Sequence, residues 1–229
     1  MKKLRFICLT LLLAMVTSGC GAPIKYGFDK SLYRRAEPHS LKAAVDLFQD
    51  LRTEDEHNGT FSVTKRYLYT KDKLFKKNIE QQVSDALVRH FQKAKMFDEV
   101  VFLDFEDDLF ESPEKMAALA AEGFDVAIQG DLYHLYGYRS GAGADAFFGL
   151  AGLLTEVLVN YKVVGGRAAY GEVKFVDLNV KSILWQGDFS YDYEDRVVFY
   201  HEPPHYAIKA VKEINDQLTQ KLDEVVNEP

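Results

Sequence analysis

Cysteine is nearly absent: Cys8 and Cys20 are the only two in 229 residues, and both fall within the first twenty positions. Everything downstream is therefore barred from an internal disulfide and from a cysteine-ligated zinc site. Positive charge is scarce too, with 28 Lys and Arg against 35 Asp and Glu and a formal net charge of −7. Non-specific nucleic-acid binding draws its affinity from cations that neutralise phosphates, so this balance argues against it. The two longest apolar runs, residues 6–16 and 146–159, fall short of the about 20 residues that a spanning helix needs. There is no glycine-rich loop ending in Lys-Ser or Lys-Thr, and no Gly-x-Ser-x-Gly nucleophile elbow. What is present is a hydrophobic fraction of 47% with 13% aromatics, ample for one packed core.

The first twenty residues read as a secretory signal. Lys2, Lys3 and Arg5 are followed by the apolar run 6–16, interrupted only by Thr10, and then by small residues. Val16-Thr17-Ser18-Gly19-Cys20 resembles the bacterial lipobox, with Thr17 where that motif prefers Leu. The resemblance implies cleavage before Cys20 and lipidation of that cysteine. Several acyl chains make a stable anchor, whereas one is marginal. Residue 21 is Gly rather than the Asp that retains such proteins in the inner membrane of enteric bacteria. By that rule the anchor is expected in the outer membrane, facing the periplasm. Cleavage removes Lys2, Lys3 and Arg5 and no acid, so the mature 210 residues carry a formal charge of −10. Residues 20–40, with Pro23, Gly27 and Pro38, read as an extended tether.

Residues 41–229 read as a single domain. Residues 41–48 are expected as the first strand, and residues 67–69 as another short one. From Asp72 the pattern turns helical, with Phe75, Ile79, Val83, Leu87 and Phe91 spaced by four on one face. Residues 99–103 form a short apolar run, expected as a buried strand. Ser112-Pro113-Glu114 is a helix start, and Gly123 a stop. Three long strands are expected over 125–138, 167–180 and 183–193, with a turn at 179–182 between the last two. Ala207, Val211, Ile214, Leu218, Leu222 and Val225 then set a helix from about 205 to 227. The expected fold is α/β or α+β: one mixed sheet of about five strands with helices packed on it, plus an apolar insert at 140–166.

Three pieces of this order resemble a group of bacterial envelope lipoproteins. They are residues 41–52 ending in Asp50-Leu51-Arg52, the helix leading into Phe97-Asp98-Glu99-Val100-Val101, and Phe124-Asp125-Val126-Ala127-Ile128-Gln129-Gly130-Asp131-Leu132. The hairpin from Val176-Asp177-Leu178 to Ile183-Leu184-Trp185-Gln186-Gly187 adds a fourth, with a Trp closing the core. The group comprises YajG-type lipoproteins, auxiliary lipoproteins of transport systems, the penicillin-binding-protein activator lipoprotein and the curli-secretion lipoprotein. The resemblance implies a binding or assembly protein without catalytic residues.

Other constellations are weaker. Gly141-Ala142-Gly143-Ala144-Asp145-Ala146 nominally fits a dinucleotide fingerprint, yet Asp145 opposes a pyrophosphate and no acid follows near 161–166. His201 and His205 bracket Glu202, but Pro203 and Pro204 are expected to prevent the helix that makes such a pair converge on a metal. His134 reads as a half-buried structural residue. Residues 104–108 lack the alternating ligands and glycine of a calcium loop.

The insert is the informative oddity. Residues 146–159 carry one charge, Glu156, while Gly149 and Gly152 permit close backbone approach. Phe147, Phe148, Gly149, Gly152 and Leu153 are the expected interaction residues, against the alternative of a helix that merely covers the sheet. The function expected is non-enzymatic and without a cofactor or metal: a lipid-anchored protein that assembles or stabilises an envelope complex. Its partners are the membrane through Cys20, and envelope proteins or further copies of itself. The alternative is a periplasmic protein binding a small ligand, lipid or glycan in a cleft beside the insert.

Overall fold

A computed structural model of the chain describes residues 32–54, 56, 66–68, 79–104, 109, 112–140, 162–197 and 203–227. Ten elements follow in order. They are β1 (His39–Val45), β2 (Gln49–Asp50), β3 (Arg66–Leu68), α1 (Ile79–Ala94), β4 (Phe97–Phe102), α2 (Pro113–Ala121), β5 (Val126–Ser140), β6 (Lys162–Asp177), β7 (Ser182–Val197) and α3 (Pro203–Asn227).

One mixed sheet runs β4-β1-β5-β6-β7, with the short β2 and β3 both paired to β5. β1 is parallel to both β4 and β5, whereas β5, β6 and β7 form an antiparallel ladder. Parallel neighbours need a crossover, and α1 and α2 supply the helices for it. The fold is α+β, with five principal strands, as the residue pattern implies.

Alternation along the strands divides the core in two. Val126 and Ile128 of β5 and Phe175 of β6 face α1 and α3, whose Ile79, Val83, Leu87, Phe91, Ala207, Val211, Ile214, Leu218 and Leu222 complete the main core. The neighbours Ala127 and Val176 face the other way and pack with Leu109, Met116, Leu119 and Leu178 under α2. Phe48 stands edge-on to Tyr170 with centroids 5.1 Å apart, and the Tyr170 hydroxyl donates to Asn215 Oδ1 on α3 at 3.0 Å.

Several features differ from those read off the residues. The ladder continues through Ser140 and begins again at Lys162, so residues 162–166 belong to β6 and not to the insert. Gly165 and Gly166 look like a flexible junction, but their missing side chains answer a packing demand. A Cβ on Gly165 would overlap the Tyr138 ring and the Tyr193 carbonyl, and one on Gly166 the backbone carbonyl of Tyr206. Residues 32–38, read as tether, pack on the domain. Pro203 and Pro204 open α3, two residues earlier than expected, because first-turn N–H groups have no helical partner to lose. At α2 the Ser112 hydroxyl makes no capping bond; its carbonyl takes the N–H groups of Lys115 and Met116.

Two tests follow from this packing. Gly166→Ala is expected to destabilise by about 2 kcal/mol or more, because backbone rather than a movable side chain fills the space; urea denaturation measures it. His90 on α1 is fully buried, and burial pushes its imidazole down to about 4 from the ordinary 6.5. Its neutral form belongs to the folded state, so that stability is complete above pH 6.5 and is lost as pH falls toward 4. The loss is on the order of 3 kcal/mol at roughly 1.4 kcal/mol per unit. Denaturation midpoints between pH 7.5 and 4.5 should fall for the native chain and flatten in His90→Gln.

Candidate functional site

α3 buries one stripe in the core and turns a flank toward the N-terminal arm, residues 32–38. Asp216 and Asp223 lie seven residues apart, two turns along that flank. Tyr33 spans the gap: its N–H donates to Asp216 Oδ1 at 2.6 Å, and its hydroxyl to Asp223 Oδ2 at 2.5 Å. The Arg35 guanidinium pairs with Asp223 Oδ1, and His39 Nε2 lies 2.7 Å from the same oxygen. Backbone bonds seat the arm as well, from the Arg35 N–H to the Ala94 carbonyl at 2.9 Å and from the His39 N–H to the Met96 carbonyl at 3.1 Å. One carboxylate thus collects a phenol, a guanidinium and an imidazole.

The Asp223 side chain is only 15% exposed, so solvent screens this cluster less than an open surface pair. Burial, with the Arg35 charge beside it, holds His39 below the ordinary imidazole value. At neutral pH its Nε2–H therefore donates to the carboxylate as a neutral ring. The arrangement ties the first described residues of the chain to its last helix.

A second polar system runs beneath residues 46–56. Asp46 accepts from Gln129 Nε2 at 2.7 Å, and Gln129 Oε1 accepts the Leu109 N–H at 3.3 Å. The buried Arg52 guanidinium grips Asp50 through two bonds, 2.8 and 2.5 Å long. Glu56 meets His134 Nδ1 at 2.6 Å. Beyond His134, the rings of Tyr136 and Tyr138 continue along β5 at centroid spacings of 6.2 and 6.3 Å. Arg167 and Asp192 stand beside them, 3.7 Å apart. Tyr138 is buried, with its hydroxyl donating to Glu194 at 2.9 Å, so His134 and Tyr136 are the partly open rings of this row.

The expected site residues are distributed as follows. Cys20, Phe147, Phe148, Gly149, Gly152 and Leu153 lie outside the described residues, as do the Gly141 to Ala146 stretch, residues 105–108 and His201. His205 is exposed in the first turn of α3 against the Tyr206 ring. His134 is the half-buried structural residue expected, fixed by Glu56. Trp185 packs on the edge of the main core beside Phe189. Among the described residues no group of three His, Cys, Asp or Glu is placed to hold a metal, and no helix is long and apolar enough to cross a membrane. Sequence reasoning missed the clasp on Asp223. The available signal was an acid pair seven apart on a helix whose complement, Tyr33 to Arg35, lies 181 or more residues upstream.

No family model matches the chain, and no curated protein does. Similar solved structures include protein XCC0632 from Xanthomonas campestris, at 10% identity over 83% of this chain and 87% of that one, with a TM-score of 0.43. A PelC dodecamer from Paraburkholderia phytofirmans matches at 10% identity over 82% and 93%, with a TM-score of 0.39. A putative neuraminyllactose-binding hemagglutinin homolog from Helicobacter pylori matches at 8% over 90% and 93%, with a TM-score of 0.41. Likeness of this degree carries neither kinship nor activity to the chain.

Asp223→Ala removes the acceptor common to Tyr33, Arg35 and His39 and is expected to cost roughly 3 kcal/mol. Limited trypsin digestion should then cut at Arg34 or Arg35 before the domain unfolds. An unchanged cleavage rate would mean that the arm is held elsewhere.

Proposed function

We propose that the chain is a lipid-anchored, non-catalytic protein of the bacterial envelope that assembles or stabilises a larger complex, such as a transport, secretion, cell-wall or motility machine. Cys20 is the lipidated residue, and the outer membrane, facing the periplasm, is its site. The observation that carries this reading is the clasp of the arm on Asp216 and Asp223. A segment that only tethers gains nothing by being fixed through a shared carboxylate. A segment that sets the domain's orientation on a membrane, so that partners meet a fixed surface, does. The insert between β5 and β6 is the proposed contact, through Phe147, Phe148, Gly149, Gly152 and Leu153, with envelope proteins or further copies of the chain.

A second reading rests on the partly open rings of His134 and Tyr136 with Arg167 and Asp192. Aromatic faces and paired polar groups are what a glycan surface requires, so a periplasmic glycan-binding lipoprotein is the alternative.

Cys20→Ser should move the protein from the membrane to the soluble periplasmic fraction; unchanged fractionation overturns the anchor. Because residues 162–166 are strand, the interaction test is replacement of residues 142–160 by a short turn. Light scattering and co-purification should then show loss of oligomers or partners with the thermal transition intact. Retained assembly, together with saturable binding of glycans that Tyr136→Ala abolishes, would favour the second reading.

A further inference from the structure

The β6–β7 hairpin ends in an apolar tip that the domain leaves open. Val180 is 72% exposed, Ile183 42% and Leu184 44%. The turn is fixed: Asp177 Oδ1 accepts the N–H groups of Asn179 and Val180 at 2.8 and 2.9 Å, and Lys181 takes the left-handed conformation at φ 57°. A bulge sets Ile183 and Leu184 together against the single residue Val176, because Trp185 already opposes Phe175. Large apolar side chains held rigidly in the open mark a contact surface.

Their place in the fold says what covers them. Ala43 of β1 lies beside Val126 at the start of β5, so His39 to Lys42 extend past it, while Val126 lies beside Asp177 and Asp177 beside Ser182. The Asp125 N–H reaches the Lys42 carbonyl, and the Leu178 N–H reaches the Asp125 carbonyl, both at 2.9 Å. The start of β1 and the hairpin tip therefore share one end of the sheet. The last turns of α3 are at that end too, since Asp223 meets His39.

The arm is bound between Asp216 and Asp223, a span of about 10 Å along α3. Leu32 stands twelve positions after Cys20, a reach of at most about 40 Å. β6 is roughly 50 Å long, so the far end of the sheet lies at or beyond the limit of that reach, whereas the hairpin end is reached with slack. Charge near the tip is net acidic, with Arg34, Lys42 and Lys181 set against Glu37, Glu99, Glu122, Asp125 and Asp177. Insertion of apolar side chains, rather than attraction to anionic headgroups, is the interaction this end supports.

We infer that Val180, Ile183 and Leu184 seat the β6–β7 hairpin in the headgroup layer of the membrane that holds Cys20, so that the sheet stands on its hairpin end. The inference rests on the proposed lipidation of Cys20. It is tested on the lipidated full chain in phosphatidylethanolamine/phosphatidylglycerol vesicles whose acyl chains carry bromine. The mature sequence has no thiol other than the acylated Cys20, so Val180→Cys and, separately, Ser190→Cys each take a single fluorescent label. Ser190 is exposed about 25 Å along β7 from the tip. Matching thermal transitions establish that both labelled proteins fold.

The label at 180 should be quenched by bromine and blue-shifted, at low and high salt alike, and the label at 190 should not. Flotation with the vesicles and no quenching at 180 overturns the seated hairpin while leaving the anchor intact. Equal quenching at both positions lays the sheet flat and overturns it as well. Failure to float, with a mature mass lacking the acyl chains, removes the anchor and the inference together.

Discussion

The apolar seam of α3 is the interaction on which the rest of the structure depends. Ala207, Ala210, Val211, Ile214, Leu218 and Leu222 are all fully buried against the long ladder. The backbone at Tyr206 passes close over Gly166, leaving no room for a Cβ there. Burying six such side chains is worth several kcal/mol even at the low end of the usual scale, and it fixes the helix in both rotation and height. With rotation fixed, Asn215 receives the Tyr170 hydroxyl inside the core. With height fixed, Asp216 and Asp223 present their carboxylates to the arm. The polar contacts are consequences of that seam and do not substitute for it.

The two faces of the sheet are treated unequally. α1 and α3 cover one face along its length, whereas α2 packs only against Ala127, Val176 and Leu178 near one end. Past that point the described residues of the second face are tyrosines and charges in place of apolar side chains. The edge strand β7 is guarded in the same fashion, with Asp188, Asp192, Glu194 and Asp195 along its later part. Its first residues lack such guards, and that contrast gives the hairpin tip its character.

Periodicity made the elements legible. α1 was readable because Ile79, Val83, Leu87 and Phe91 repeat every four residues, and α3 because its seam does the same. The β6–β7 turn was readable from the polar break between two alternating runs. Gly165 and Gly166 were misread because a glycine pair signals a loop and a tight packing contact equally well. The docking of residues 32–38 was not legible because Pro38 argues against helix but says nothing about docking. The polar network of Asp50, Arg52, Glu56 and His134 reads in sequence as loop and strand decoration, since burial of a charge leaves no mark on spacing. Cys20 is the opposite case: its meaning rests on a linear motif, to which a folded domain adds nothing.

The clasp joins residues 183 to 190 positions apart, so its two halves belong to opposite ends of the chain's history. In a chain delivered amino-terminus first, Tyr33 and Arg35 arrive long before the helix that holds them. The loop they close spans nearly the whole domain, and loop closure of that size waits on the contacts within it. The arm therefore stays free while the domain forms and is locked only once α3 is seated. Docking of the arm is in effect the chain's own mark of completion, because the seam of α3 must be in place before Asp216 and Asp223 can receive it.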